Sequence, residues 1–337
     1  MEGPTKVATL PSNGFSHAVI REEIPINPIA AGWKPPSSDL TPMCHPCVEE
    51  VTKDVDEYFL ENWNFSNDKA RRTFINAGFS QVTCLYFPLA KFDRIHFACR
   101  LLTVLFLIDD LLEEMSFEEG EAYNAKLIPI ARGDTLPDRS VPAQFIFYDL
   151  WQSMRACDKE LANAVLEPTF TFMSAQTDKV RKDITELNQY LEYREKDVGK
   201  ALLSALMRFS MALTLTPAEL EVVKPLEANC SKQISIVNDI CSWEKELRAS
   251  QTLHQEGAVL CSAVKVLADS TGLGIESAKR VLWVMAREWE VVHERLVAVI
   301  EEGGCSDAVR LYVKGLEYQM SGNERWSQTT LRYHLLE

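Results

Sequence analysis

The 337-residue chain predicts an all-α fold, one large helical domain around a buried apolar rod. Three observations carry that expectation. From Cys47 onward apolar residues recur at intervals of three and four, the period of a helix with one buried face. Alternating apolar and polar runs, the mark of strands, are scarce. Capping residues, prolines and glycines break the chain at helix-length intervals, and no fixed-period repeat suggests a solenoid.

Residues 1–40 contain Pro4, Pro11, Pro25, Pro28, Pro35 and Pro36 with no sustained period. They read as a flexible N-terminal arm or lid-like segment, leaving 41–337 as the folded domain. Val48, Val51, Val55, Tyr58, Phe59 and Leu60 then set a helical rhythm. The segment Asp93 to Met115 is apolar all round, through Leu101, Leu102 and the run Val104 to Ile108, so it must be surrounded by other helices. Arg100 and Asp109 bound its most apolar stretch, Leu101 to Ile108, which is too short for the ~20 residues a bilayer requires; no stable membrane insertion is expected. Breaks follow at Arg132-Gly133-Asp134 with Pro137 and Pro142, and at Val198-Gly199. Thr216-Pro217-Ala218-Glu219 combines a capping hydroxyl, a proline at the first helical position and a glutamate reaching back, so a helix begins there. Gly272-Leu273-Gly274 and Gly303-Gly304 end the next segments. These signals amount to roughly ten helices.

Charge and cysteine usage exclude several functions. A net charge of −14 leaves no basic footprint for nucleic acid or an anionic membrane surface. Nine cysteines, an odd number spread through helix-like contexts, read as reduced thiols in a cytoplasmic protein. Cys44-His45-Pro46-Cys47 has metal-ligand spacing but no second half, so no structural zinc is expected.

The apolar rod ends in Asp109-Asp110-Leu111-Leu112-Glu113-Glu114. On a helix Asp109 and Glu113 share a face, with Asp110 one step round. Carboxylates so placed repel unless a cation lies between them. A hard divalent ion that keeps waters and completes its shell with phosphate answers that need, and Mg²⁺ fits best. An exposed acidic turn would carry the same letters. A second array narrows the choice: Asn238, Ser242 and Glu246 stand at i, i+4 and i+8 and form one oxygen-bearing stripe, after apolar turns at Ile234, Ile236 and Val237. Amide, hydroxyl and carboxylate make a low-charge chelate, suited to a cation that also holds a strongly anionic ligand.

In both arrays the chain resembles the class I terpene cyclases. Their DDxx(D/E) motif matches Asp109 to Glu113, and their (N/D)DxxSxxxE motif matches Asn238 to Glu246. Val82 to Pro88, Asp93 to Leu112, Leu191 to Ser210 and Gly315 to Thr330 look like the fungal aristolochene synthases within that family, and the likeness runs from about residue 40 to the C-terminus. The resemblance implies a class I terpenoid synthase bundle with its active-site cavity among the helices. It also implies three Mg²⁺ ions held by Asp109 on one side and Asn238, Ser242 and Glu246 on the other, with Asp110 and Glu113 orienting or neutralising behind them. Arg194, Lys245 and the pair Arg332-Tyr333 match the family's diphosphate contacts, and Tyr86, Phe106, Phe172 and Trp326 match aromatics that line its pocket.

By the same likeness the substrate is farnesyl diphosphate and the reaction a carbon–oxygen lyase step with release of inorganic diphosphate. The family route closes a germacrene ring, reprotonates it and closes a second ring to a bicyclic eremophilane-type sesquiterpene, aristolochene; a homodimer is also implied. Cys241 and Trp243 stand where close relatives carry tyrosines, and Phe92 where aspartate is usual, which leaves germacrene or another eremophilane isomer open as product. A chain-elongating prenyl transferase would need a second DDxxD motif, which is absent. A non-enzymatic helical adaptor would need neither array.

Overall fold

The computed structural model describes residues 33–334. Chain contacts divide it into Met1–Pro35 and Pro36–Glu337, and every helix described below lies in the second unit. Up to residue 32 the arm expected over 1–40 lies outside the described residues.

Thirteen α-helices and no strand occur among the described residues: α1 (Val48–Asn62), α2 (Asp68–Ala77), α3 (Phe79–Tyr86), α4 (Ile95–Leu112), α5 (Phe117–Arg132), α6 (Pro142–Cys157), α7 (Lys159–Gln176), α8 (Leu187–Asp197), α9 (Lys200–Met211), α10 (Pro217–Thr252), α11 (Ala263–Thr271), α12 (Ile275–Glu302) and α13 (Asp307–Thr329). Short 3-10 turns cover Lys179–Lys182 and Glu256–Ala258. The count exceeds the roughly ten expected because short helices join without the flanking loops that reveal a boundary. Gly78, in the left-handed region at φ 66°, ends α2 and starts α3 in a single residue. Asp158 likewise ends α6 and caps α7, its carboxylate accepting from Leu161 N.

The predicted starts and stops hold where capping chemistry is explicit. Thr216 and Glu219 form a reciprocal capping box, and α10 begins at Pro217 as expected. Gly199, at φ 71°, separates α8 from α9. The apolar rod is α4: eleven of its 18 residues are buried, on all sides, and it packs against α1, α3, α6 and α9. The 36-residue α10 packs against α12 and α13, and α13 returns against α3. One core surrounds α4; a second joins Tyr190, Ile240, Trp243, Val264, Leu282 and Trp283 across α8, α10, α11 and α12. This arrangement brings the C-terminal end of α4 and the middle of α10 to the same cavity.

The nine cysteines are free thiols. His45 is buried; its Nδ1 accepts from Cys47 N at 3.2 Å and its Nε2 meets Ala90 O at 3.2 Å, so backbone groups occupy both ring nitrogens. No helix among the described residues is long and apolar enough to cross a membrane.

Candidate functional site

The last turn of α4 carries Asp109 and Asp110, with Glu113 at its C-cap. One carboxylate oxygen from each lies within 4.8 Å of the others. Such crowding needs compensation, and three elements distant in sequence supply it. Arg332 forks onto Asp110, Nη2 to Oδ1 at 2.6 Å and Nη1 to Oδ2 at 3.1 Å. Lys245 donates to Glu113 Oε1 at 2.6 Å and lies 3.9 Å from Asp110. Gln176 Nε2 donates to Asp109 Oδ1 at 2.6 Å.

The three carboxylates are therefore unequal. Burial, with the charge of Glu113 beside it, pushes Asp109 up to about 6. Burial acts the same way on Asp110, but Arg332 and Lys245 outweigh it and hold that carboxyl below its ordinary value. Asp109 faces an amide where its neighbours face cations, with Arg332 no nearer than 3.8 Å. It is the carboxylate best placed to gain from an added metal ion.

On α10, Asn238, Ser242 and Glu246 lie along one stripe. Arg194 Nη2 donates to Asn238 Oδ1 at 2.9 Å, Asn238 Nδ2 donates to Tyr333 Oη at 2.8 Å, and Ser242 Oγ donates to Glu246 Oε1 at 2.6 Å. Burial and the nearby Asp239 push Glu246 up to about 7. Asp239 itself is fully buried; it accepts from Tyr190 Oη and from Ala263 N, the latter at 2.8 Å, and its other oxygen stands 3.2 Å from Arg194. Arg194 also pairs with Asp197. Tyr190, Arg194 and Asp197 share a face of α8 at i, i+4 and i+7, so one short helix both presents the guanidinium and braces it.

These groups border a cavity of about 180 Å³. Along α4 its wall passes from Leu102, Leu105 and Phe106 to Asp109 and Glu113, which puts the apolar lining one to two turns below the carboxylates. Tyr86, Phe172 and Trp326 add aromatic surface. Phe106 stacks on Phe79 with centroids 4.5 Å apart and rings 9° from parallel, and Trp326 lies 6.1 Å from Phe106 and 5.2 Å, edge-on, from Tyr333. Tyr86 is fixed by its hydroxyl, which donates to Asn323 Oδ1 at 2.9 Å. Phe172 packs against Gly199, where an added Cβ would come within 3.1 Å of its ring.

Twelve of the fourteen residues singled out from the sequence border this cavity. Ser242 does not; it is 1% exposed and reaches the site through Glu246. Asp110 faces a separate hollow behind α4, bordered by Trp63, Phe65 and Phe79, with Arg332 touching both spaces. Gln176, Arg181, Asp197 and Gly257 also border the cavity and were not anticipated. Arg181 holds Gln176 by its backbone carbonyl at 2.6 Å, and so helps aim the amide at Asp109. Asp239 was legible as the acidic neighbour of Asn238; Gln176, Arg181 and Gly257 had no spacing signal, because only tertiary packing brings them here. Cys241 and Trp243 do not border the cavity: Cys241 is half-buried and Trp243 belongs to the second core. Phe92 is 70% exposed and packs edge-on against His45.

The donors suit a hard divalent ion. The two arrays offer carboxylate, amide and hydroxyl oxygens and neither sulfur nor imidazole, although the thiol of Cys261 borders the same cavity. Gln176 Oε1, buried at the site, has no hydrogen-bond partner, an acceptor that a metal-bound water would satisfy.

Residues 100–290 match the family model described as terpene synthase family 2, C-terminal metal binding. An all-helical bundle with two oxygen-donor arrays facing one partly aromatic cavity is the arrangement of class I terpene synthases, and the chain belongs to the terpene synthase family. Within it, the chain is 67% identical over 302 residues to aristolochene synthase of Penicillium roqueforti, covering 89% of this chain and 88% of that protein. It is 62% identical over 311 residues to aristolochene synthase of Aspergillus terreus, covering 92% and 97%. The crystal structure of aristolochene synthase from Penicillium roqueforti superposes with a TM-score of 0.78 at 64% identity, covering 88% of this chain and all of that one.

Proposed function

We propose that the protein is a sesquiterpene cyclase that ionises farnesyl diphosphate in a Mg²⁺-dependent step, a carbon–oxygen lyase reaction, and closes the cation to the bicyclic eremophilane-type hydrocarbon aristolochene, releasing diphosphate. One observation carries this reading: a single cavity joins a polar end of oxygen donors and fixed cations to an aromatic wall one to two turns deeper. An amphiphile with a strongly anionic head and a hydrocarbon tail fits both halves. The names of the relatives supply the product.

Asp109 on α4 and Asn238, Ser242 and Glu246 on α10 would hold three Mg²⁺ ions, with Asp110 and Glu113 positioned behind them by Arg332 and Lys245. When bound, the ions neutralise the diphosphate and stabilise charge building on its departing oxygen. Arg194, Lys245, Arg332 and Tyr333 are arranged to do the same from the protein side. Arg194 and Tyr333 now bond to Asn238, Lys245 to Glu113 and Arg332 to Asp110. An entering diphosphate offers its own oxygens to Arg194, Lys245 and Arg332 in place of those acceptors, and to the hydroxyl of Tyr333, which accepts from Asn238 Nδ2 and keeps its own hydrogen to donate; this draws the segment after α13 onto the substrate and excludes water. Deeper in the cavity Phe106, Phe172, Trp326 and Tyr86 present ring faces to a cation without hydrogen-bonding groups, each worth ~2 kcal/mol when desolvated. Cys241 and Trp243 lie off the cavity, which supports an unaltered product.

A cytoplasmic location, a homodimer, and the division into an arm over 1–40 and a catalytic domain over 41–337 belong to the same reading. The test is incubation of the purified protein with farnesyl diphosphate, with and without Mg²⁺, followed by gas chromatography and mass spectrometry. A Mg²⁺-dependent aristolochene peak is expected. A folded protein that yields no hydrocarbon from ten-, fifteen- or twenty-carbon diphosphates would overturn the reading.

A further inference from the structure

Helix α12 buries one face and leaves the opposite face apolar. Ala278, Leu282, Trp283, Ala286 and His293 point into the molecule. Val281, Val284, Val291, Val292 and Val299 are 40, 51, 39, 36 and 66% exposed. On a helix of 3.6 residues per turn these five valines, with Glu288 and Arg295, fall within an arc of about 100°. Isolated exposed valines need no explanation, but a continuous stripe of them on one helix does.

The order of charges along the stripe identifies its occupant. Glu288 and Arg295 are seven residues apart, two turns, and the midpoint between them falls between Val291 and Val292. Turning the helix about a two-fold axis through that midpoint lays Glu288 against Arg295 of a second copy, Arg295 against its Glu288, Val284 against its Val299 and Val291 against its Val292. From Val284 to Val299 the stripe is self-complementary under the operation that generates an isologous dimer, and outside that span Val281 meets Glu302 of the second copy at the rim. Arg287 and Glu290, one face round, are already paired with each other, and Arg287 with Glu324; Glu288 and Arg295 make no ion pair among the described residues. Valine side chains are short enough to let two helices approach to the 8–10 Å of close packing, and Val284 to Val299 spans about 22 Å of axis. The chain carries −14 overall, which opposes association of copies, yet the acid and the base within this stripe cancel.

We infer that the exposed face of α12 is the seam of an antiparallel, two-fold homodimer, with Val284, Val291, Val292 and Val299 as its apolar contacts and two Glu288–Arg295 pairs set between the central and the outer valines. This goes beyond the proposed function, which includes a dimer without assigning its surface, and its test does not depend on turnover.

The full chain is examined by sedimentation velocity over a concentration series reaching about 50 µM. The wild-type protein should sediment as a reversible dimer. Glu288→Arg alone, or Arg295→Glu alone, sets like charges face to face on both sides of the axis and should weaken dimerisation on the order of tenfold or more. An equimolar mixture of those two single variants should restore a mixed dimer to near wild-type affinity, because opposite charges again face each other across the axis. Val284→Lys with Val299→Lys should abolish the dimer while circular dichroism stays helical. A wild-type monomer throughout the series, a dimer whose dissociation constant ignores the double lysine variant, or a mixture that fails to restore association would each overturn the inference. The mixing result also excludes misfolding as the cause of weakened single variants, since an unfolded partner cannot restore the pair.

Discussion

Replacing Gly257 with alanine reports on the seal at the acidic end of α4. Gly257 lies in the 3-10 turn after α10, and its N–H donates to Met115 O at 2.9 Å. A Cβ built there would lie 1.9 Å from Leu112 O, 2.8 Å from Leu112 C and 3.0 Å from Met115 O, all backbone atoms that cannot rotate away. Restoring ordinary contact, which begins at 3.4 Å, moves the turn by about 1.5 Å. Overpacking of this kind costs about 1–3 kcal/mol, and stretching the Gly257–Met115 hydrogen bond beyond range adds about 1. At about 2 °C per kcal/mol for a domain of this size, the melting temperature should fall by about 4–8 °C. The same turn lines the cavity beside Leu112 and Glu113, so its retreat admits water to the polar end; turnover should fall at least about tenfold and half-saturation in Mg²⁺ should rise. Thermal unfolding and a metal titration of the rate measure both effects. Gly315→Ala is the control, because the three atoms nearest its added Cβ all belong to the flexible Met207 side chain, with Sδ at 2.3 Å; that should cost about 1 kcal/mol and leave the metal dependence alone. A melting temperature for Gly257→Ala within about 1 °C of wild type, with an unchanged metal requirement, would refute the reasoning.

Three further outcomes are expected. His293 is 1% exposed with neither ring nitrogen hydrogen-bonded, and burial, helped by the charges of Lys200 and Lys314, lowers it from 6.5 to about 4. The unfolded chain therefore takes up this proton first: stability is full above pH 6.5, declines by about 3 kcal/mol as pH falls to 4 and levels off below, and His293→Leu should remove that share from a urea-unfolding pH series. Arg287→Ala strands Glu290, 5% exposed, together with Glu324, and should cost about 3 kcal/mol in urea unfolding, most of it recovered when methionine replaces Arg287 and glutamine replaces Glu290. Arg332→Lys keeps the charge but loses the fork on Asp110, so turnover should drop about ten- to a hundredfold while the helical signal is retained.

The fold was legible wherever local chemistry dictates it. The Thr216 capping box, the all-round apolarity of α4 and the left-handed Gly199 act within a turn or two of themselves, and each can be seen in a window of a few residues. Boundaries without a loop escaped: Gly78 serves two helices at once, and Asp158 ends one helix while capping the next. In the site, both oxygen arrays were legible because helix periodicity puts i and i+4 on one face. What closes around them was not. Gln176 reaches Asp109 from 67 residues away, and Gly257 meets Leu112 because two backbones happen to approach. Asp239 lies between: its acidity was in view, but its role in bracing Arg194 depends on burial against Tyr190 and Ala263.

Everything proposed for catalysis requires that the end of α4 and the middle of α10 form a joint site for divalent metal and diphosphate. Isothermal titration of inorganic diphosphate into the protein, with Mg²⁺ and with EDTA, tests that requirement most directly. Saturable binding that requires Mg²⁺ and is lost in both Asp109→Asn and Asn238→Ala, one from each helix, is the predicted result. Equal binding in EDTA, or Mg²⁺-dependent binding that either variant leaves intact, would contradict it.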